Sequence, residues 1–315
     1  MRTTRFRRLL GAVALISAAV LTAAACGGNN STAGSTSKGK ITVGSADFGE
    51  SQIIASMYSQ ALQKSGYDVT EKFKIGSREV YIKSLDSGEI DVVPEYIGTL
   101  TEYYNAQFNG PDAPTKAPLA SADPDKTYTA LQGLVSQKKL TALKPSKAAD
   151  QNAFAVTKDF ADKNGLSKMS DLAKLNGQLT LGAGPECPTR HFCLLGLQSV
   201  YGLKFKDVKK LDSGGPKTLG ALADGSIQVG LVFSSDGAVQ AQNLVVLEDD
   251  KHLQTADNIT ALLRDSVPSD AQQVLDKVNQ ALTTEKLQEL NKRFTVDKED
   301  AKDLAKEFLS SIGLA

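Results

Sequence analysis

Histidine is scarce in this chain: only His191 and His252 occur, in unrelated stretches. Two scattered histidines supply no acid–base pair or activated nucleophile. An enzyme on this sequence would have to lean on Asp47, Glu95 and Asp236, each equally explained as a turn, a cap or a ligand contact. A metal centre lacks ligands for the same reason, and no metal or other cofactor is expected. No basic run survives either, because lysines and arginines are mixed with acids along the chain, which excludes nucleic acid as a partner. The apolar run over residues 9–21 is too short for an ordinary membrane span. Cysteine is limited to Cys26, Cys187 and Cys193.

What is present begins with a targeting segment. Arg2, Arg5, Arg7 and Arg8 precede the apolar run, and Ala23-Ala24-Ala25 precede Cys26. Residues 1–25 therefore read as a signal peptide. Cys26 is either left unmodified at a secretory cleavage site or lipidated as a bacterial lipoprotein's new N-terminus. Leu21 sits farther from it than a lipobox leucine usually does. Residues 26–39, rich in Gly, Ser, Thr and Asn, form a tether spanning roughly 20 Å as a random coil. A tether directly behind a lone cysteine favours the lipid anchor and a place on the outer face of the cytoplasmic membrane. The four arginines leave with the signal, so 32 basic side chains face 36 acidic ones in the remainder.

That remainder is long enough for two lobes. Residues 74–99 read as a Gly-Ser turn at Gly76-Ser77, a helix with Val80, Ile82 and Leu85 in one apolar arc, a stop at Gly88, and a strand from Ile90 halted by Pro94. The pattern Leu-x-x-Gly-x-Ile-x-Val starts at Leu85 and again at Leu222, and eleven residues on from each lies an aromatic, Tyr96 or Phe233. Chance agreement of two helix–strand turns is the alternative to two similar lobes facing a shared crevice. In open α/β sheets, ligands bind at the strands' C-terminal ends. Lobe 1 is expected over 40–149 and 241–315, with residues 244–248 returning to it, and lobe 2 over 150–240. Two crossings would make a hinge suited to closing on a ligand. Residues 105–127 read as a surface loop. Phe48, Ser51 and Gln52 lie between a strand and a helix N-terminus, Ser77 in the Gly-Ser turn, and Asn152 at the first crossing. Phe233, Ser234 and Asp236 present an aromatic, a hydroxyl and a carboxylate at a strand end. All eight are candidate ligand contacts.

Cys187 and Cys193 flank an Arg190-His191 pair. In an exported protein this spacing is most simply a disulfide, worth about 2–3 kcal/mol for so short a loop. A metal site with His191 is the rival, and it lacks further ligands nearby. Arg190 either grips a ligand carboxylate through two parallel hydrogen bonds or forms a salt bridge to Glu186.

The stretches ITVGSADFGESQIIA, DVVPEYIGT, KDFADKNGLSKMSDLA, YGLKF, LDSGG, LVVLEDDKH, LTTEKLQELNKRF and AKEFLSSIGL, in this order, resemble the glycine betaine/choline (osmoprotectant) substrate-binding proteins of ABC importers, the ProX/OpuAC type. The resemblance covers nearly all of the mature length. It implies an α/β, two-lobe periplasmic-binding-protein fold of type II and a lipid-anchored monomer. Such a receptor is no enzyme: it delivers a small molecule to an ABC permease. The family holds its quaternary ammonium in a cage of tyrosines by cation–π attraction. By position the resemblance places Tyr96 and Thr99 in that site, Phe154, Leu219 and Phe233 where the family has further tyrosines, and Arg190 on the ligand carboxylate. The family's Asp-Gly-x-Pro-Gly-Leu pattern after the arginine is replaced here by His-Phe-Cys-Leu-Leu-Gly-Leu. A cage short of one ring would bind trimethylammonium less tightly or suit an uncharged or aromatic ligand instead.

Overall fold

Short runs of β-branched and small apolar residues build two five-stranded sheets in this computed structural model, which describes residues 37–237, 239 and 243–315. The expected signal peptide, Cys26 and the tether up to residue 36 lie outside the described residues. The first sheet has the order β2 (Asp68–Lys72), β1 (Lys40–Gly44), β3 (Val92–Tyr96), β10 (Ile259–Arg264), β4 (Leu140–Ala142). β1 runs parallel to β2 and β3, and β10 is antiparallel to β3 and β4. The second sheet repeats the plan as β7 (Asp207–Lys210), β6 (Thr180–Ala183), β8 (Val229–Phe233), β5 (Asn152–Thr157), β9 (Leu244–Val246), again with three parallel strands and an antiparallel pair. In both sheets the antiparallel fourth strand, β10 or β5, is the first to follow a crossing between lobes.

The two copies of the repeated pattern occupy equivalent places. Helix α2 (Arg78–Ser87) leads into β3, and a helix over Pro216–Ala223 leads into β8. Gly88 and Gly225 adopt φ of 80° and 74°, left-handed values that end each helix without a side-chain clash. Leu85, Ile90 and Val92 are buried in one copy and Leu222, Ile227 and Val229 in the other. Tyr96 and Phe233 are therefore the last residues of matching strands.

Helix α1 (Gly49–Lys64) packs Ile54, Met57 and Leu62 on one face of the first sheet, with Leu275, Val278, Leu304 and Phe308 from C-terminal helices beside them. Ile82, Leu85, Leu100 and Leu131 cover the opposite face. Around the second sheet, Phe154, Leu181, Leu197 and Val229 form one core, and Ala155, Leu219 and Val232 form another. No helix among the described residues is long and apolar enough to cross a membrane.

Four local expectations are corrected. Strand β9 pairs with β5 in the second sheet, so residues 244–246 do not return to the first lobe and the second crossing comes later. There, residues near Asp257 run antiparallel to those near Asp150, with Asp150 N donating to Asp257 O and Ile259 N to Ala148 O. Val80 is 47 % exposed; the buried face of α2 is Arg78, Tyr81, Ile82 and Leu85, at helical spacing. Pro94 does not halt its strand, because β10 pairs with β3 as far as Tyr96, whereas the β1 ladder stops at Val92. Residues 105–127 are not a plain loop. Helix α3 (Ile97–Asn109) runs into them, a short helix spans Ala113–Lys116, and Glu102 accepts from Leu119 N and Ala120 N, both at 2.6 Å.

Candidate ligand-binding cleft

The C-terminal ends of β3 and β8 face a cleft with about 700 Å³ of empty space, counted out to its open mouth. Phe48 stands between the two strand-end aromatics. Its ring stacks on Phe233 at 5.6 Å between centroids and tilts against Tyr96 at 6.2 Å. The Tyr81 ring also lines the cleft. Ser51 places the Phe48 loop, since its Oγ accepts from Ala46 N at 3.0 Å.

Below the rings lies a buried polar network. Arg78 turns its Nε and Nη2 onto Glu95 Oε1 and Oε2 at 2.8 and 2.7 Å, and Nη2 also donates to Thr99 Oγ1 at 2.8 Å. Tyr81 Oη and Tyr96 N complete the shell of Glu95. Burial disfavours the Arg78 charge, but Glu95, Tyr81 and Asp257 outweigh it and hold the guanidinium well above its ordinary value. Tyr96 Oη donates to Glu50 Oε1 at 2.7 Å, while Ser235 Oγ and Asn291 Nδ2 both donate to Glu50 Oε2 at 2.6 Å.

Three carboxyls here are pushed upward by burial. Glu50 is raised despite the donors around it, and Asp150 is raised further by the neighbouring Glu50 charge. Asp257 is pushed up to about 7, burial outweighing Arg78 and the N–H groups of Gly98 and Thr99. Those two N–H groups reach Asp257 Oδ1 at 2.7 and 3.1 Å. The approach requires glycine at position 98, where a Cβ would meet Ala256 O at 2.5 Å.

Across the mouth, Arg190 Nε and Nη2 bind Glu79 at 3.0–3.2 Å, and Arg190 Nη1 stands 3.8 Å from Glu186. Arg190 outweighs burial and lowers the Glu79 carboxyl to about 2. His191 Nδ1 bonds Thr115 Oγ1 at 3.0 Å, a further contact between the lobes. Cys187 and Cys193 are disulfide-bonded, and among the described residues no group of three or more His, Cys, Asp or Glu side chains is placed to hold a metal.

Of the residues singled out in the sequence, Phe48, Ser77, Tyr96, Thr99, Asn152, Arg190 and Phe233 line this cleft. Gln52 and Asp236 line an adjoining cavity, on the far side of Phe48 and Phe233. Ser51 is buried in its loop, and Ser234 Oγ accepts from Gln151 N at the crossing. Phe154 and Leu219 do not line the cleft. β5 runs away from the crevice, so Phe154 lies two residues deeper than Asn152 and is fully buried in the lobe core. Leu219 packs under the second sheet with Val232. Sequence reasoning missed Arg78, Tyr81, Asp150 and Asp257. Arg78 had a readable signal: a charged residue on the helical face shared by Tyr81, Ile82 and Leu85 demands a buried partner.

Two lobes of one topology, joined by two antiparallel crossings around a cleft, define a type II periplasmic-binding-protein fold. Residues 39–311 match the family described as the substrate binding domain of ABC-type glycine betaine transport systems, and the chain belongs to that family. It is thus an extracytoplasmic solute receptor of an ABC transporter and not an enzyme. It is 27 % identical over 285 residues to the glycine betaine-binding protein YehZ of Escherichia coli (strain K12), covering 87 % of this chain and 90 % of that one. The glycine-betaine-binding protein of Pseudomonas aeruginosa (strain PAO1) is 29 % identical over 283 residues, covering 85 % and 86 %. Among solved structures, one of a glycine betaine/carnitine/choline ABC transporter superposes with a TM-score of 0.64 at 24 % identity, covering 89 % of this chain and 99 % of that one.

Proposed function

We propose that the receptor captures a quaternary ammonium solute of the glycine betaine class between its lobes and hands it to a membrane permease. The observation that carries this reading is the meeting of Phe48, Tyr96 and Phe233 at one end of the cleft. Ring faces attract a cation that has no hydrogen to donate, by about 0.5–2 kcal/mol each depending on desolvation. Ser77, Thr99 and Asn152 supply polar contacts beside them. The glycine betaine ligands named for the relatives support the same choice.

The reading extends to the N-terminus. Residues 1–25 are removed, Cys26 carries the lipid, and the tether to residue 39 lets a monomer reach its permease. Replacing Cys26 with serine would release the protein from the membrane, and its continued membrane association would remove the anchor.

Calorimetric titration with glycine betaine, choline, carnitine and proline tests the ligand. Saturable binding of a quaternary ammonium compound supports the proposal. Silence across the panel from folded protein moves the search to uncharged and aromatic compounds.

A further inference from the structure

The cleft holds two arginines in different situations. Arg190, 28 % exposed at its side chain, is committed to Glu79 on the opposite lobe, with Glu186 nearby. Arg78 is 6 % exposed and belongs wholly to the first lobe. Glu95 occupies the side-on edge of its guanidinium through Nε and Nη2, and Thr99 takes a further Nη2 proton. Nη1 makes no hydrogen bond among the described residues, although Arg78 lines the cleft. A guanidinium has five donors; Glu95 and Thr99 take three, which leaves both N–H groups of Nη1 for the cleft. Glu95 cannot swing to meet them, being held by Tyr81 Oη at 2.7 Å and Tyr96 N at 2.9 Å.

Resting on the betaine-class reading, we propose that Arg78, through Nη1, holds the carboxylate end of the ligand, and that Arg190 is a latch between the lobes. The placement gives the ligand two ends on one lobe: rings from Phe48 and Tyr96 for the ammonium, and Arg78 for the carboxylate. Phe233 and the Arg190–Glu79 pair then close over it from the other side. Because Glu95 already balances the Arg78 charge, the contact is one oriented, charge-assisted hydrogen bond. Asp257 beside it is pushed up to about 7, so burial removes part of the charge that would otherwise repel the ligand carboxylate at neutral pH.

The test compares glycine betaine with choline, which share a trimethylammonium and differ in carboxylate against hydroxyl. Wild type, Arg78→Lys and Arg190→Ala are titrated with both by calorimetry. Arg78→Lys keeps a charge for Glu95 but gives up Nη1. It is expected to lose roughly ten- to a hundredfold for glycine betaine and less than about threefold for choline. Arg190→Ala is expected to weaken both by the same factor. Thermal unfolding checks that each variant folds; if Arg78→Lys does not, the paired change Arg78→Met with Glu95→Gln removes both charges together and gives the same ratio. Equal loss for the two ligands in the Arg78 variant, or a glycine betaine-selective loss in Arg190→Ala, overturns the assignment. Wild type that binds neither ligand overturns the betaine-class reading and this assignment with it, whereas wild-type binding without the selective loss sinks the assignment alone.

Discussion

Glu79 and Arg190 face each other across the mouth of the cleft, one from each lobe, with both carboxylate oxygens engaged at 3.0–3.2 Å. Arg190 is fixed in turn by its place between Cys187 and Cys193, whose bridge restricts the loop. Closure of the lobes is thereby coupled to a charge pair lying outside the ring cluster. The pair is part-exposed, which limits its strength: the Glu79 side chain is 42 % accessible, and screening holds such pairs below about 1 kcal/mol.

Glu79→Gln should therefore loosen closure without unfolding the protein. Small-angle scattering of the ligand-free protein is expected to show a larger radius of gyration than wild type at low salt. Added salt should bring the wild type toward the variant. Identical scattering curves at every ionic strength would remove the latch.

Tyr96 combines a ring and a hydroxyl with separable roles. Tyr96→Phe keeps the ring but leaves Glu50 Oε1 without its donor in a fully buried setting. The expected cost is about 1–3 kcal/mol in chemical denaturation, with quaternary ammonium affinity within about threefold of wild type. Tyr96→Ala also removes the ring, and its affinity should fall by about 1–2 kcal/mol more. If titration shows Phe losing as much affinity as Ala, the hydroxyl and not the ring carries the contact.

The repeated helix–strand unit was legible because its markers are local: a glycine stop, three apolar positions, and an aromatic at fixed spacing. Arg78 was obscured by Val80, which looks like part of the apolar arc until packing shows which side of α2 faces the sheet. Strand β9 carried no mark of its sheet, since its partner β5 lies some ninety residues earlier and the pairing is wholly non-local. Phe154 failed for a related reason. Whether a strand residue meets solvent, ligand or core depends on strand direction and register, neither of which its neighbours in sequence specify.

Asp257 sets a pH dependence of opposite sign to that of the surface carboxylates. Its folded-state value of about 7 lies above the ordinary aspartate value, so between about pH 4 and 7 the folded protein binds the extra proton. Stability from this group is present below that window and is lost as pH rises through it, by an amount on the order of 4 kcal/mol. The raised carboxyls of Glu50 and Asp150 act in the same direction. Glu79 and Asp171, both lowered to about 2, act oppositely, losing stability as pH falls from about 4 toward 2. Asp257→Asn keeps an acceptor for Gly98 N and Thr99 N but cannot ionise. Its Tm should decline less than that of wild type between pH 4 and 7, and parallel Tm profiles would refute the assignment.

Phe154 and Leu219 occupy positions where the resemblance expects tyrosines, which suggests restoring the cage by Phe154→Tyr or Leu219→Tyr. The packing predicts that neither works. Phe154 has no measurable exposure and Leu219 has 3 %, each set among apolar side chains. A hydroxyl introduced at Phe154 would be buried without a partner, at a cost of about 1–3 kcal/mol. Leu219→Tyr adds overpacking beneath the second sheet to that penalty. Both variants should therefore lower Tm while leaving ligand affinity unimproved. Their titration against glycine betaine decides the matter: a tighter complex from Phe154→Tyr would mean that this side chain turns into the cleft when ligand is bound, and that β5 contributes a ring after all.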